Sequence, residues 1–141
     1  MASEGCGKED CPVCRKEGGS KMCHKGNINY ENKCNLCVDV DVKYFGDSAR
    51  NLYTRAKEHE RKFMKGDENS FMHKHQTECH KDEKPDWTFK VLKTFKDPLS
   101  RQVGEAMLIK NHKGILLNSK AEFHQPSIIR VRQEIVSGLE E

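Results

Sequence analysis

The chain has 141 residues, with 25 lysines and arginines against 22 aspartates and glutamates for a net charge of +3, seven cysteines, seven histidines and only 35% apolar residues. That length suits one domain with at most a small appendage, and no run approaches the roughly 18 to 20 apolar residues a membrane span needs. The charged fraction is 33%, yet the apolar residues fall in periodic blocks, which argues against wholesale disorder, and the net charge is too small to name a partner.

The opening residues, MASEGCGKED, lack a basic start followed by an apolar stretch, so no secretory signal is expected and the thiols should stay reduced. Six of the seven cysteines precede residue 38, an odd and uneven set that favours metal ligation over a disulfide framework. Residues 1–25 hold four cysteines, four glycines and almost no apolar residue but Val13, so something other than hydrophobic burial must order them. From Asn27 the pattern changes. Ile28, Tyr30 and Asn32 alternate with polar neighbours, and Val38, Val40, Val42 and Tyr44 alternate with Asp39, Asp41 and Lys43, which predicts two strands folded back through Cys34-Asn-Leu-Cys37 as an antiparallel hairpin.

After Gly46 the period lengthens. Leu52, Ala56, His59 and Phe63 predict an amphipathic helix closed by Gly66, and a shorter helix is expected from Ser70 to Glu78, with Phe71 and His75 on one face. Trp87, Phe89 and Val91 predict a third strand, and Asp97-Pro98 an N-cap and first residue of a helix running to about Lys113. The tail at 127–141 fits a helix or a strand equally. Strand, strand, helix, helix, strand, helix is the order of an α+β domain with a small three-stranded antiparallel sheet flanked by helices. The division expected is a cysteine-rich zinc-binding segment at 1–25, a domain at 26–126 and the tail at 127–141.

Four residues have the spacing of structural zinc ligands: Cys34-x-x-Cys37 at the strand junction, and His75 and His80 around the second helix, with His73 and Cys79 competing for the same site. Cys6, Cys11, Cys14 and Cys23 form a second candidate zinc site, in which His24 could replace one sulfur. Binding energy there would substitute for a missing core. On the first helix Arg55 and His59 lie one turn apart, so a phosphate-binding guanidinium and a proton-handling imidazole share a face. The plain alternative is a solvated basic face, because Arg50, Lys57, Arg61 and Lys62 surround them. Glu105 sits among Leu99, Val103, Ala106, Met107 and Ile109, and either pairs with Arg101 or serves a metal cation.

Taken together these residues resemble the GIY-YIG endonuclease family, in the version attached to Penelope-like retroelements. The likeness runs from Asn27 to Asn118, through Tyr30, Cys34-x-x-Cys37, Tyr44-Phe-Gly46, the string from Asp47 to His59, His75 and His80, Asp86-Trp87, Glu105 and Leu117-Asn118. Tyr-x-Gly followed nine residues later by Arg and four later by His is its most specific part. The leading Cys6-Gly-Lys with Cys11-x-x-Cys14 is similar to the cysteine-rich linker of that subgroup. The first motif reads Ile28-Asn29-Tyr30 where the family has Gly-Ile-Tyr, and Phe45 replaces an isoleucine.

The resemblance implies a metal-dependent DNA endonuclease that nicks one strand, or a catalytically inactive, zinc-stabilised nucleic-acid-binding module. It assigns Tyr30, Tyr44, Arg55, His59, Glu105 and Asn118 to the catalytic site. Glu105 would bind one Mg2+ or Mn2+ ion, and one or two Zn2+ ions would be structural. Tyr30, or else Tyr44, would take the proton from the attacking water, its pKa lowered by the ion and by His59, with Asn118 holding nearby backbone or phosphate. Implied partners are DNA and a reverse transcriptase in the same polyprotein or complex, in the nucleus and without a membrane; the oligomeric state is left open. Between Lys43 and Lys65 seven Lys or Arg face three Asp or Glu, a local positive charge suited to a polyanion.

Overall fold

The computed structural model describes residues 10–16, 18, 19 and 21–118. The first helix-forming and strand-forming blocks of the sequence become β1 (Ile28–Cys34), β2 (Val42–Ser48), α1 (Leu52–Met64), α2 (Phe71–Cys79), β3 (Trp87–Thr94), α3 (Pro98–Asn111) and β4 (Ile115–Leu116). The class is α+β. The sheet has four strands in the order β3-β1-β2-β4, not three, and it is mixed: β1 pairs antiparallel with β2 and β3, while β4 runs parallel to β2. Two residues long and preceded by a glycine, β4 leaves no alternation for a sequence pattern to register.

The second strand also begins later than its valines suggest. Val38 and Val40 are 85% and 40% exposed, and pairing starts only at Val42. Cys37 is drawn toward His75 and His80, so the chain leaves the sheet after Cys34 and rejoins it where Lys33 meets Lys43.

Period two sends alternate residues to opposite faces. Ile28, Tyr30, Asn32 and Cys34 form one fully buried row, and Tyr30 bonds to His59 of α1 on that side. Asn29 faces the other way and donates through Nδ2 to the Arg101 carbonyl of α3, at 2.9 Å. The sheet therefore lies between α1 with α2 and α3. Each helix starts on the cap its sequence offers: Asn51, Ser70 and Asp97 accept from the backbone N–H three residues on. Gly66, at φ +68°, stops α1.

On the α3 side a polar clamp replaces an oily contact. Arg101 Nε donates to Asp47 at 2.7 Å and its Nη1 to Asn27 at 2.8 Å. Gly104 packs so close to the Asn29 amide that a β-carbon would collide with it.

The described residues between Asp10 and Lys25 dock on α1. The Cys23 and Lys25 carbonyls accept from Tyr53 N–H and Leu52 N–H, capping donors that the first helical turn cannot satisfy itself. Arg15 pairs with Glu60 and Lys16 with Asp86, and Cys11, Val13, Cys14 and Cys23 join the same buried cluster as Ile28, Tyr30 and Leu52. Among the described residues no helix is long and apolar enough to cross a membrane. The tail at 127–141 and Cys6 lie outside the described residues.

Candidate active site and metal centres

β1 and β2 set Tyr30 opposite Gly46 and Asn32 opposite Tyr44. The Tyr30 phenol lies directly over Gly46, where a β-carbon would come 2.5 Å from its hydroxyl. α1 closes the arrangement from above: Tyr30 Oη is 2.8 Å from His59 Nε2, and the Tyr30 and Tyr44 ring centres are 6.4 Å apart. Tyr44 in turn meets the edge of His59 at 5.5 Å. Arg55, one turn before His59, donates to Glu58 at 2.9 Å, and Glu58 also receives Arg50.

Tyr44, Arg55 and His59 open onto a cleft of about 590 Å³, completed by Lys62, Lys74 and Asn118 among others. Tyr30 does not line it; the phenol is fully buried beneath. Asn118 is buried and grips β2: its Oδ1 accepts from Phe45 N–H at 3.0 Å and its Nδ2 donates to the Phe45 carbonyl at 2.8 Å. It holds backbone, next to Tyr44.

Glu105 is half-buried on α3, the helix of the opposite face, and is not among the cleft residues. Its carboxylate nevertheless raises the proton affinity of the Tyr30 phenol, so it stands within electrostatic reach of that ring. One carboxylate, already engaged within the fold and outside the cleft, is only part of the oxygen donor set magnesium takes.

The electrostatics of the pair reverse the expected direction for Tyr30. Burial pushes the phenol well above its ordinary value, opposed by the Arg55 guanidinium and reinforced by Glu105 and Asp47. His59 moves the other way, down to about 3, through burial first and then through the positive charges of Arg55 and Lys62. Both partners are neutral near pH 7.

The zinc-type quartet assembles as its spacing predicts. Cys34 ends β1, Cys37 lies in the β1–β2 connection, His75 is on α2 and His80 is its C-cap residue, and one ligand atom of each lies within 4.8 Å of all the others. Cys37 Sγ is 3.3 Å from His75 Nε2 and 3.2 Å from His80 Nε2. Tetrahedral zinc, with bonds of about 2.3 Å to sulfur and 2.0–2.1 Å to nitrogen, spaces the two kinds of ligand about 3.5 Å apart. The quartet is therefore close to the size the ion demands.

His80 Nδ1 is 2.9 Å from the Glu83 carboxylate. An ionised carboxylate only accepts, so the ring proton sits on Nδ1 and the Nε2 lone pair faces the sulfur. Cys37 is pushed up to about 11 by burial and by the neighbouring Cys34. Of the competitors, Cys79 is exposed and the His73 ring lies beside Gly66, both outside the quartet.

Cys11, Cys14 and Cys23 make a second cluster, all buried, with Cys14 and Cys23 sulfurs 3.6 Å apart against about 3.8 Å on tetrahedral zinc. His24 is exposed next to it. Both clusters could hold a structural zinc ion.

No protein-family model, curated protein or solved structure matches this chain.

Sequence patterns passed over three groups in the cleft. Lys62 is visible in sequence only as part of the basic face around Arg55 and His59, and Lys74 lies outside the basic Lys43–Lys65 stretch. Phe71 shares a helix face with His75 in the sequence pattern, but its parallel stacking on Tyr44, at 4.0 Å and 5°, depends on a tertiary contact that no local period encodes.

Proposed function

We propose that this protein is a metal-dependent DNA endonuclease that hydrolyses phosphodiester bonds and nicks one strand at a time, of the GIY-YIG type its residues resemble. The observation that carries the reading is the cleft in which Tyr44, Arg55 and His59 meet, with Tyr30 hydrogen-bonded to His59 beneath them. Glu105 is the residue that would hold an Mg2+ or Mn2+ ion, with the Lewis-acid chemistry such an ion supplies, but it lies on α3 outside the cleft lining, and the cleft itself works through Tyr44, Arg55 and His59. Arg55 binds a phosphate through its planar fork, and Glu58 holds that fork in place. Lys62 and Lys74, which share the cleft with Glu68 and Glu78, add affinity without sequence preference.

Proton transfer falls to the groups around His59. The arriving phosphate is negative and offsets the Arg55 and Lys62 potentials that depress the imidazole. Its proton affinity rises when substrate binds, and it can accept the proton of the attacking water directly or through Tyr44, which faces the cleft. Tyr30 keeps the imidazole in register through the 2.8 Å bond. Asn118 fixes the β2 backbone beside Tyr44. A DNA substrate would place the work in the nucleus, beside a reverse transcriptase if the retroelement likeness extends that far.

One observation favours a second reading, a nucleic-acid-binding module without cleavage: the Tyr30 phenol has no exposed surface and a raised proton affinity. Supercoiled plasmid incubated with the protein and Mg2+ or Mn2+ separates the two. The nuclease reading expects an open-circle product, reduced at least about a hundredfold by Arg55→Ala or Glu105→Ala. Plasmid retained by the protein but nicked no faster than by those variants would establish the binding module instead.

A further inference from the structure

Phe71 is the first residue of α2, and its ring is the hub of an aromatic set that reaches from the cleft to the zinc-type quartet. It lies parallel to Tyr44, 4.0 Å away at 5°, and meets His59 edge-on at 5.2 Å and 73°. On its other side it meets Trp87 at 6.1 Å and 82°. Trp87 also touches the His75 ring, at 5.8 Å and 75°. His75 is one of the four clustered ligands and stands four residues after Phe71, on the same face of the helix.

α2 has only nine residues, far fewer than an isolated helix needs to persist in water. Its placement comes from packing, with Met72 and Gln76 buried, and from its ends. Ser70 caps one of them, and at the other His75 and His80 converge with Cys34 and Cys37 of the hairpin. An ion in the quartet would cross-link α2 to the strands that carry Tyr30 and Tyr44, with Phe71 standing one helical turn from that cross-link.

We propose that Phe71 is a positioning residue that transmits zinc occupancy of the Cys34, Cys37, His75 and His80 site to the ring orientations of Tyr44 and His59. The metal site is then more than a staple for the fold: it sets the shape of the cleft. The consequence for catalysis rests on the nuclease reading above; the coupling of metal to ring geometry does not.

The test is aromatic NMR of the full chain. In zinc-loaded protein the Tyr44 ring signals should be displaced upfield by the stacked Phe71, and Phe71→Leu should abolish that displacement with zinc content unchanged, whereas Phe71→Tyr should restore it. Removing one ligand with His80→Asn should produce the same loss in the wild-type background and no further change in Phe71→Leu. This variant leaves the Cys11, Cys14 and Cys23 cluster intact, which a chelator would not. Tyr44 and His59 signals unmoved by His80→Asn in a folded protein that has lost this zinc would overturn the proposal, and so would signals unmoved by Phe71→Leu in zinc-loaded protein, the arm that decides if His80→Asn fails to fold. In the plasmid assay, Phe71→Leu should lower kcat about tenfold or more with DNA retention unchanged, and Phe71→Tyr should recover it. Ring signals that respond as expected in a protein that never nicks DNA would leave the coupling standing and remove the nuclease; nicking by Phe71→Leu at the wild-type rate would remove the coupling from catalysis.

Discussion

Acid should destabilise this protein through His59 in a way that one substitution isolates. The imidazole is 8% exposed and ringed by Tyr30, Tyr44, Phe71 and Phe89, and its folded-state pKa is driven from 6.5 down to about 3. Between those values the unfolded chain binds a proton that the folded chain refuses. Stability contributed by the neutral ring is therefore complete above the unfolded value and falls as pH drops, by about 1.4 kcal/mol per unit, until the folded pKa is reached. From about pH 7.5 to about pH 5 the loss works out to about 2 kcal/mol. Urea denaturation across that range measures it, in the wild type and in His59→Gln, which does not titrate. Both proteins share the remaining histidines and both thiol clusters, so those contributions cancel in the difference between the two curves. The wild type should lose its advantage over the variant as pH falls, by about 2 kcal/mol at the acid end. A difference that stays level over the whole range would refute the claim that this imidazole is kept neutral by burial and by Arg55.

Three further perturbations have definite outcomes. Gly46→Ala puts a methyl group against the Tyr30 phenol and should cost about 1 to 3 kcal/mol while breaking the bond to His59, visible as a lower urea midpoint and a changed Tyr30 absorbance titration. Asn118→Ala strips the Phe45 N–H and carbonyl of their partners and should cost about 2 to 4 kcal/mol in the same assay, a cost under about 0.5 kcal/mol meaning that the β2 edge is held by something else. Elemental analysis of reduced, untagged protein should find one zinc per cluster, and Cys34→Ser should lose that of the Cys/His quartet together with several kcal/mol of stability; wild-type protein free of metal would remove both sites.

Much of this architecture is legible locally, and the exceptions share a cause. Asn51, Ser70 and Asp97 act within one helical turn, so the starts of α1, α2 and α3 follow from short-range chemistry. The cysteine and histidine pairs are likewise readable, because ligand spacing within each pair is a local property even though the quartet is not. What fails is whatever a distant contact decides. Val38 and Val40 carry a strand's alternation, but the chain is pulled toward α2 at Cys37 and the two side chains are left outward. β4 exists because Val42 and Lys43 have a free edge for it, not because Ile115-Leu116 has a pattern. Glu105 has the right helix and the wrong face for lining the cleft, and its link to Tyr30 is a matter of field, invisible to periodicity.

The opposed shifts of Tyr30 and His59 constrain how any proton could move here. A phenol raised by burial will not give up its proton, and an imidazole lowered by burial and two cations will not take one, so the resting pair holds its hydrogen bond without separating charge. Only a change in the surrounding potential alters that balance. An anion entering beside Arg55 and Lys62 raises the imidazole's affinity and leaves the phenol's high, so the group that responds to a bound anion is His59. Of the two tyrosines, the one open to the cleft is Tyr44, whose ring is held by Phe71. If the protein is the nuclease proposed above, Tyr30→Phe should lower kcat only moderately, by loosening the imidazole, whereas Tyr44→Phe removes the hydroxyl that lines the cleft and should cost more. The reverse order of the two losses would return the proton-accepting role to the buried phenol and require the sheet to open before each turnover.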